Sequence, residues 1–75
     1  MNIDEDKIDQ TVLALLQLTL HDEVRAWKGM DFEVMNRLHE KGYIHDPVNK
    51  TKSVVLTEAG LKESTQLFAT LFCKD

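Results

Sequence analysis

This chain has little of what pins a small protein together from outside its core. Its single cysteine, Cys73, has no partner for an internal disulfide and reads as a partly buried hydrophobe rather than a redox thiol. One proline, Pro47, and three glycines, Gly29, Gly42 and Gly60, confine the sharp backbone breaks to a few places. No apolar run approaches the roughly 20 residues that span a bilayer. The segment Met1 to Asp6 lacks the basic start and apolar centre of a signal peptide, so the expectation is a cytoplasmic protein with no membrane contact. Basic charge is scarce as well. Nine Lys and Arg stand against thirteen Asp and Glu, a net charge of −4 with neutral histidines. That balance is opposite to the footprint of a free-standing nucleic-acid binder.

What is present is a chain of 75 residues with 43% apolar content, which implies one small domain over residues 1–75 with a modest core. The order of its elements is legible. Asp4, Glu5 and Asp6 supply a cap and an acidic first turn for a first helix, with Ile8, Val12, Leu15, Leu16 and Thr19 at helical spacing. Leu13 and Leu20 widen this stripe to about 160° of arc, and Leu18 lies outside it. From His21 to Gly29 the sequence carries one short helical turn at most, anchored by Trp27. A further helix runs from about Phe32 to Lys41, with Asp31 as its N-cap and Phe32, Met35 and Leu38 as its inward side.

Gly42 can take the left-handed conformation that ends a helix, which folds Tyr43 back on Leu38. Pro47 and Asn49 then place a turn within a hairpin spanning Tyr43 to Leu56, whose return strand is Val54-Val55-Leu56. Thr57 caps a last helix with Leu61, Thr65, Phe68, Leu71 and Phe72 on one face. Gly60, early in that helix, implies a close approach to the hairpin. The expected core comprises Leu15, Leu16, Trp27, Phe32, Met35, Leu38, Ile44, Leu56, Leu61 and Phe68.

This order of elements, with Leu38, Gly42, Ile44, Leu56, Thr57 and Gly60, resembles the winged helix-turn-helix proteins, and MarR-type regulators in particular, over about a third of the chain. The runs Leu18 to Asp22, Arg25 to Gly29 and Leu38 to Gly42 also resemble a family of small bacterial proteins of unknown function. The expected class is α+β, mainly helical and winged-helix-like, with an abbreviated second helix and a two-stranded wing followed by a C-terminal helix. In that reading Phe32 to Lys41 is the recognition helix and Val48 to Lys52 the wing tip. The likeness implies double-stranded DNA as a partner, weakly and salt-sensitively bound. Two departures bear on it. Only about ten residues separate the helices that should flank a positioning helix. The wing reads Asn49-Lys50-Thr51-Lys52, without the arginine of the MarR-type Asp-x-Arg pair.

Local charge narrows where such a contact would sit. From Asp31 to Lys41 three acids oppose two bases, a sum of −1, whereas from Arg37 to Lys52 four bases oppose two acids, a sum of +2. The candidate DNA-binding residues are therefore Asn36, Arg37, Lys41, Lys50 and Lys52. The histidines His21, His39 and His45 have no metal-ligand spacing, no cofactor is implied, and neither hydroxyls nor carboxylates form a nucleophile signature, so an enzyme is not expected. The alternative function is an interaction module that binds protein, including itself. Its candidate homodimer interface is the apolar surplus of the terminal helices: Leu13, Leu18, Leu20, Leu67 and Phe72.

Overall fold

A computed structural model describes residues 1–74. It is an α+β arrangement of three helices and a two-stranded antiparallel sheet, compatible with a winged-helix-like layout. Helix α1 spans Glu5–Leu15 and passes directly into a 3₁₀ turn, Leu16–Thr19; strand β1 is Arg25–Trp27, α2 is Phe32–Glu40, β2 is Ser53–Val55 and α3 is Glu58–Phe72.

Side chains cap α1 and α3, whereas Asp31 stands at the N-cap of α2 without a side-chain hydrogen bond. Asp4 Oδ1 accepts the Lys7 N–H at 3.0 Å, satisfying one of the free donors of the first turn of α1. At the end of α2, Gly42 has φ +81°; its N–H donates to the His39 carbonyl, and the Tyr43 N–H reaches back to the Leu38 carbonyl at 3.0 Å. This is the paired closure of a helix on a left-handed residue, as the sequence implied. Thr57 does two jobs at the start of α3. Its Oγ1 accepts the Gly60 N–H at 2.9 Å and donates to the Gly42 carbonyl at 2.6 Å, so the end of α2 is bonded to the start of α3.

The segment His21 to Gly29 differs from expectation. In place of a helical turn it forms a tight reversal, with Asp22 and Glu23 at φ 48° and 69°, and then β1. Strand β1 pairs with β2 in the register Arg25↔Val55, Ala26↔Val54, Trp27↔Ser53. On the opposite edge of β2 the Ile44↔Leu56 bridge and the bond from His45 N–H to the Val55 carbonyl preserve the base of the expected hairpin. The strand after α2 is thus reduced to one bridge, and β2 is flanked on both sides.

The core is built from Val12, Leu13, Leu16, Ala26, Val34, Met35, Leu38, Ile44, Val54 and Leu56. Of the expected core residues, Leu16, Met35, Leu38, Ile44 and Leu56 are buried, while Leu15, Leu61 and Phe68 are half-buried. Trp27 and Phe32 are corrections, at 50% and 58% exposed, and Cys73, expected to be partly buried, is exposed past the end of α3. Alternation explains the first: Ala26 points inward, which turns Arg25 and Trp27 outward. Rotation explains the second. The inward face of α2 is set by Val34, Met35 and Leu38, and Phe32 falls about 110° from its centre.

Helix α3 approaches its neighbours through small residues, and only Gly60 and Ser64 are buried along it. Ser64 Oγ donates to the Leu13 carbonyl at 2.6 Å and accepts from Gln17 Nε2 at 2.9 Å, bonding α3 to α1 and the 3₁₀ turn. A Cβ on Gly60 would overlap the backbone carbonyl of Tyr43, which cannot swing aside as a side chain could. Gly60→Ala is therefore expected to cost about 1–3 kcal/mol, despite alanine's better helix propensity. Leu38→Ala, at a site 1% exposed, should cost about 2–5 kcal/mol. Urea unfolding measures both, and an unchanged midpoint for either variant would show that the α2–α3 junction is misassigned.

Candidate functional site

The most organised polar cluster lies between α1 and α2. Asp9 is 1% exposed, yet it sits on the inward face of α1, one turn before Leu13. Both of its oxygens are engaged. Arg37 Nε donates to Oδ1 and Oδ2 at 3.0 and 2.9 Å, and Arg37 Nη2 donates to Oδ1 at 2.8 Å. Lys41 Nζ donates to Oδ2 at 2.8 Å. Glu5 and Asp6 extend the cluster to the surface, accepting from Arg37 Nη1 at 2.9 Å and Lys41 Nζ at 3.2 Å. The spacing makes this possible. Arg37 on α2 and Lys41, the C-cap of that helix, lie one turn apart, and Glu5 and Asp9 one turn apart on α1, so two rows of opposite charge face each other.

The hydrogen bonds from Arg37 are the strongest influence on Asp9; burial opposes them and Lys41 reinforces them, and the carboxyl is held below the usual carboxylate range. The same bonds raise both bases, against their own desolvation. The cluster forms one wall of a cleft of about 260 Å³, which Gln10, Tyr43, Glu63 and Leu67 help to line. No group of three His, Cys, Asp or Glu side chains among the described residues is arranged to hold a metal ion.

The structure separates the five residues nominated for DNA. Arg37 and Lys41 are the clasp on Asp9, with side chains 24% and 35% exposed. Asn36 is half-buried on α2. Lys50 and Lys52 are exposed on the loop before β2. That loop is well tied: Lys28 Nζ donates to the Pro47 carbonyl at 2.7 Å and to Asn49 Oδ1 at 2.8 Å, while Asn49 Oδ1 also accepts the Thr51 N–H at 2.9 Å.

The interface nominated from the terminal helices also divides. Leu13 is 1% exposed and belongs to the core, which removes it from any interface; it faces α3 because the inward side of α1 is centred on Asp9, Leu13 and Leu16. Leu20 and Leu67 are partly buried against the same core. Leu18 and Phe72 are exposed, at 68% and 46%.

Two features escaped sequence reasoning. One is Asp9, whose signal was an acid in the row Asp9, Leu13, Leu16. The other is an apolar groove of about 400 Å³ on the outer side of α1, lined by Ile8, Val12, Leu15 and Met30, with Asp4, Lys7 and Thr11 completing its wall. Beside it, the segment Trp27 to Phe32 leaves Trp27, Met30 and Phe32 between 37% and 58% exposed.

A small α+β chain whose α1 and α2 are joined by a buried acid is what these contacts define. Residues 4–74 match the family described as Domain of unknown function (DUF6429), and the chain belongs to that family. It is 62% identical over 74 residues, 99% of this chain and 100% of the relative, to the uncharacterized protein y4hR of Sinorhizobium fredii (strain NBRC 101917 / NGR234). No solved structure matches the chain.

A lowered carboxyl has a definite consequence for stability. Because the folded-state value lies below the unfolded one, the contribution of Asp9 is full above the ordinary carboxylate value of about 4 and is lost as pH falls through the folded value. Asp9→Asn should cost about 1–3 kcal/mol at neutral pH, with the gap from the parent chain narrowing in acid. Urea titrations at neutral pH and below the carboxylate range test this. A gap that stays constant with pH would assign the loss to shape rather than charge.

Proposed function

We propose that this chain is a winged-helix-like protein-interaction module, cytoplasmic and non-enzymatic, rather than a reader of DNA sequence. The observation that carries the reading is the commitment of Arg37 and Lys41 to Asp9. These are the basic residues that α2 would offer to a duplex, and both are already neutralised within the protein. Nucleic-acid affinity rests largely on uncommitted cations facing phosphate. Meanwhile Trp27, Met30 and Phe32 expose apolar surface where a positioning helix would stand, and aromatic residues with methionine are the types enriched at protein interfaces.

A second reading keeps support from the loop before β2, where Lys28 holds the backbone and Lys50 and Lys52 form no ion pair among the described residues. Contact there would touch phosphate alone and carry little sequence information.

Fluorescence anisotropy with a mixed-sequence duplex separates the two. The expected result near physiological salt is binding weaker than about 10 µM, with any residue of it abolished by Lys50→Glu combined with Lys52→Glu. Sub-micromolar binding that responds to Asn36→Ala would overturn the interaction reading.

A further inference from the structure

The chain carries an unpartnered apolar projection as well as an unpartnered apolar groove. From Thr65 to Phe72, α3 reads Thr-Gln-Leu-Phe-Ala-Thr-Leu-Phe, with no charge. Leu71 lies two turns beyond buried Ser64 on nearly the same side of the helix, yet it is 48% exposed. The inward face of α3 therefore continues past the protein that should cover it. Phe68 and Phe72 are already packed on each other there, with ring centroids 5.7 Å apart, so the projection is preformed.

We infer that the partner is a second copy of this chain, docked reciprocally, with the Phe68-Leu71-Phe72 projection of each protomer seated in the Ile8-Val12-Leu15-Met30 groove of the other. This rests on the interaction reading above and names its occupant. Volume permits it: a cavity of about 150 Å³ takes a benzene ring, and the groove of about 400 Å³ takes Phe72 with Leu71 beside it. Charge favours it. The last turn of α3 contains no base to offset the partial negative charge of its terminal carbonyls. Lys7, on the groove wall, forms no ion pair among the described residues and can supply that charge, while Asp4 on the same wall is opposite in sign to Lys74 just past the helix.

Area requires the contact to be reciprocal. A stable pair buries about 800 Å² per partner, and large side chains contribute about 150–250 Å² each, so the projection alone falls short. A protomer that donates its projection and also receives one brings two patches into the contact. Such an exchange closes under a two-fold axis, whereas a one-way contact would propagate into a larger ring or an open chain. Of the residues nominated from sequence for self-association, Phe72 is the one that takes part.

Sedimentation equilibrium over the micromolar range, with circular dichroism to verify folding, tests the pairing. The parent chain should have the mass of two chains. Phe72→Glu and Met30→Glu, both at exposed sites, should each have the mass of one. An equimolar mixture of the two variants should associate more than either variant alone but well short of the parent, because one of the two contacts, an intact projection in an intact groove, is restored. Lys7→Glu should weaken the parent dimer about two- to fivefold. Should either glutamate variant lose its fold, Phe72→Ser and Met30→Ser take their place. A single-chain mass for the parent protein ends the second-copy proposal, while the duplex titration still decides the interaction reading. A dimer that survives Phe72→Glu but not Met30→Glu means groove packed on groove, and masses that grow without limit mean an open chain; either result overturns the reciprocal exchange.

Discussion

The carboxylate of Asp9 is the constraint on which the two-helix contact depends. A carboxylate 1% exposed is tolerated only if its oxygens are bonded, and here three hydrogen bonds from Arg37 and one from Lys41 meet them. Charge satisfied in this way fixes orientation more than it adds stability, since desolvation offsets much of the attraction. A planar guanidinium gripping a carboxylate sets the roll and the offset of α2 on α1 more strictly than leucines would. With that register fixed, Val34, Met35 and Leu38 turn toward Leu13 and Leu16, and Phe32 is carried outward.

The same pairing shapes the outer surface. A recognition helix needs cations facing outward, but α2 turns Arg37 and Lys41 toward α1. Its remaining charges include Glu33 and Glu40, so the helix presents no net attraction for phosphate. Alternation in β1 acts in the same direction from another part of the chain. With Ala26 required in the core, Trp27 has to be outside, and its indole packs against Gly29, where a Cβ would overlap the ring. One region thus loses its free cations while its neighbour gains exposed apolar surface.

Much of the fold was legible because its signals are local. The acidic start of α1, the glycine that ends α2 and the threonine that caps α3 are each decided within a turn of helix, and the structure has all three. Gly60 was legible for another reason: a glycine inside a helix needs a close neighbour, and the Tyr43 carbonyl is that neighbour. What stayed hidden depends on pairing between distant segments. Strand β1 has three residues, too few for a periodicity to be read, and it exists because β2 offers an edge. Asp9 passed unnoticed in the sequence because nothing within α1 says that Arg37 and Lys41 will face it, 28 and 32 residues further on. Of the basic residues chosen for the site, Arg37 and Lys41 are engaged by Asp9, since charge count carries no information about which cations are already occupied.

Small size connects these observations. A chain of 75 residues buries a limited fraction of its surface, and here ten apolar side chains form the buried cluster. Bonding α3 to α1 through Ser64 and seating Gly60 against the Tyr43 carbonyl bring backbones close, but they contribute little apolar area from α3 itself. The leucines and phenylalanines of α3 are consequently only partly used: Leu61, Leu67 and Phe68 are half-buried, and Leu71 and Phe72 are left outside. An apolar helix end and an apolar groove in a chain with so small a core are surfaces that association would bury, adding stability by mass action where the isolated core is least able to supply it.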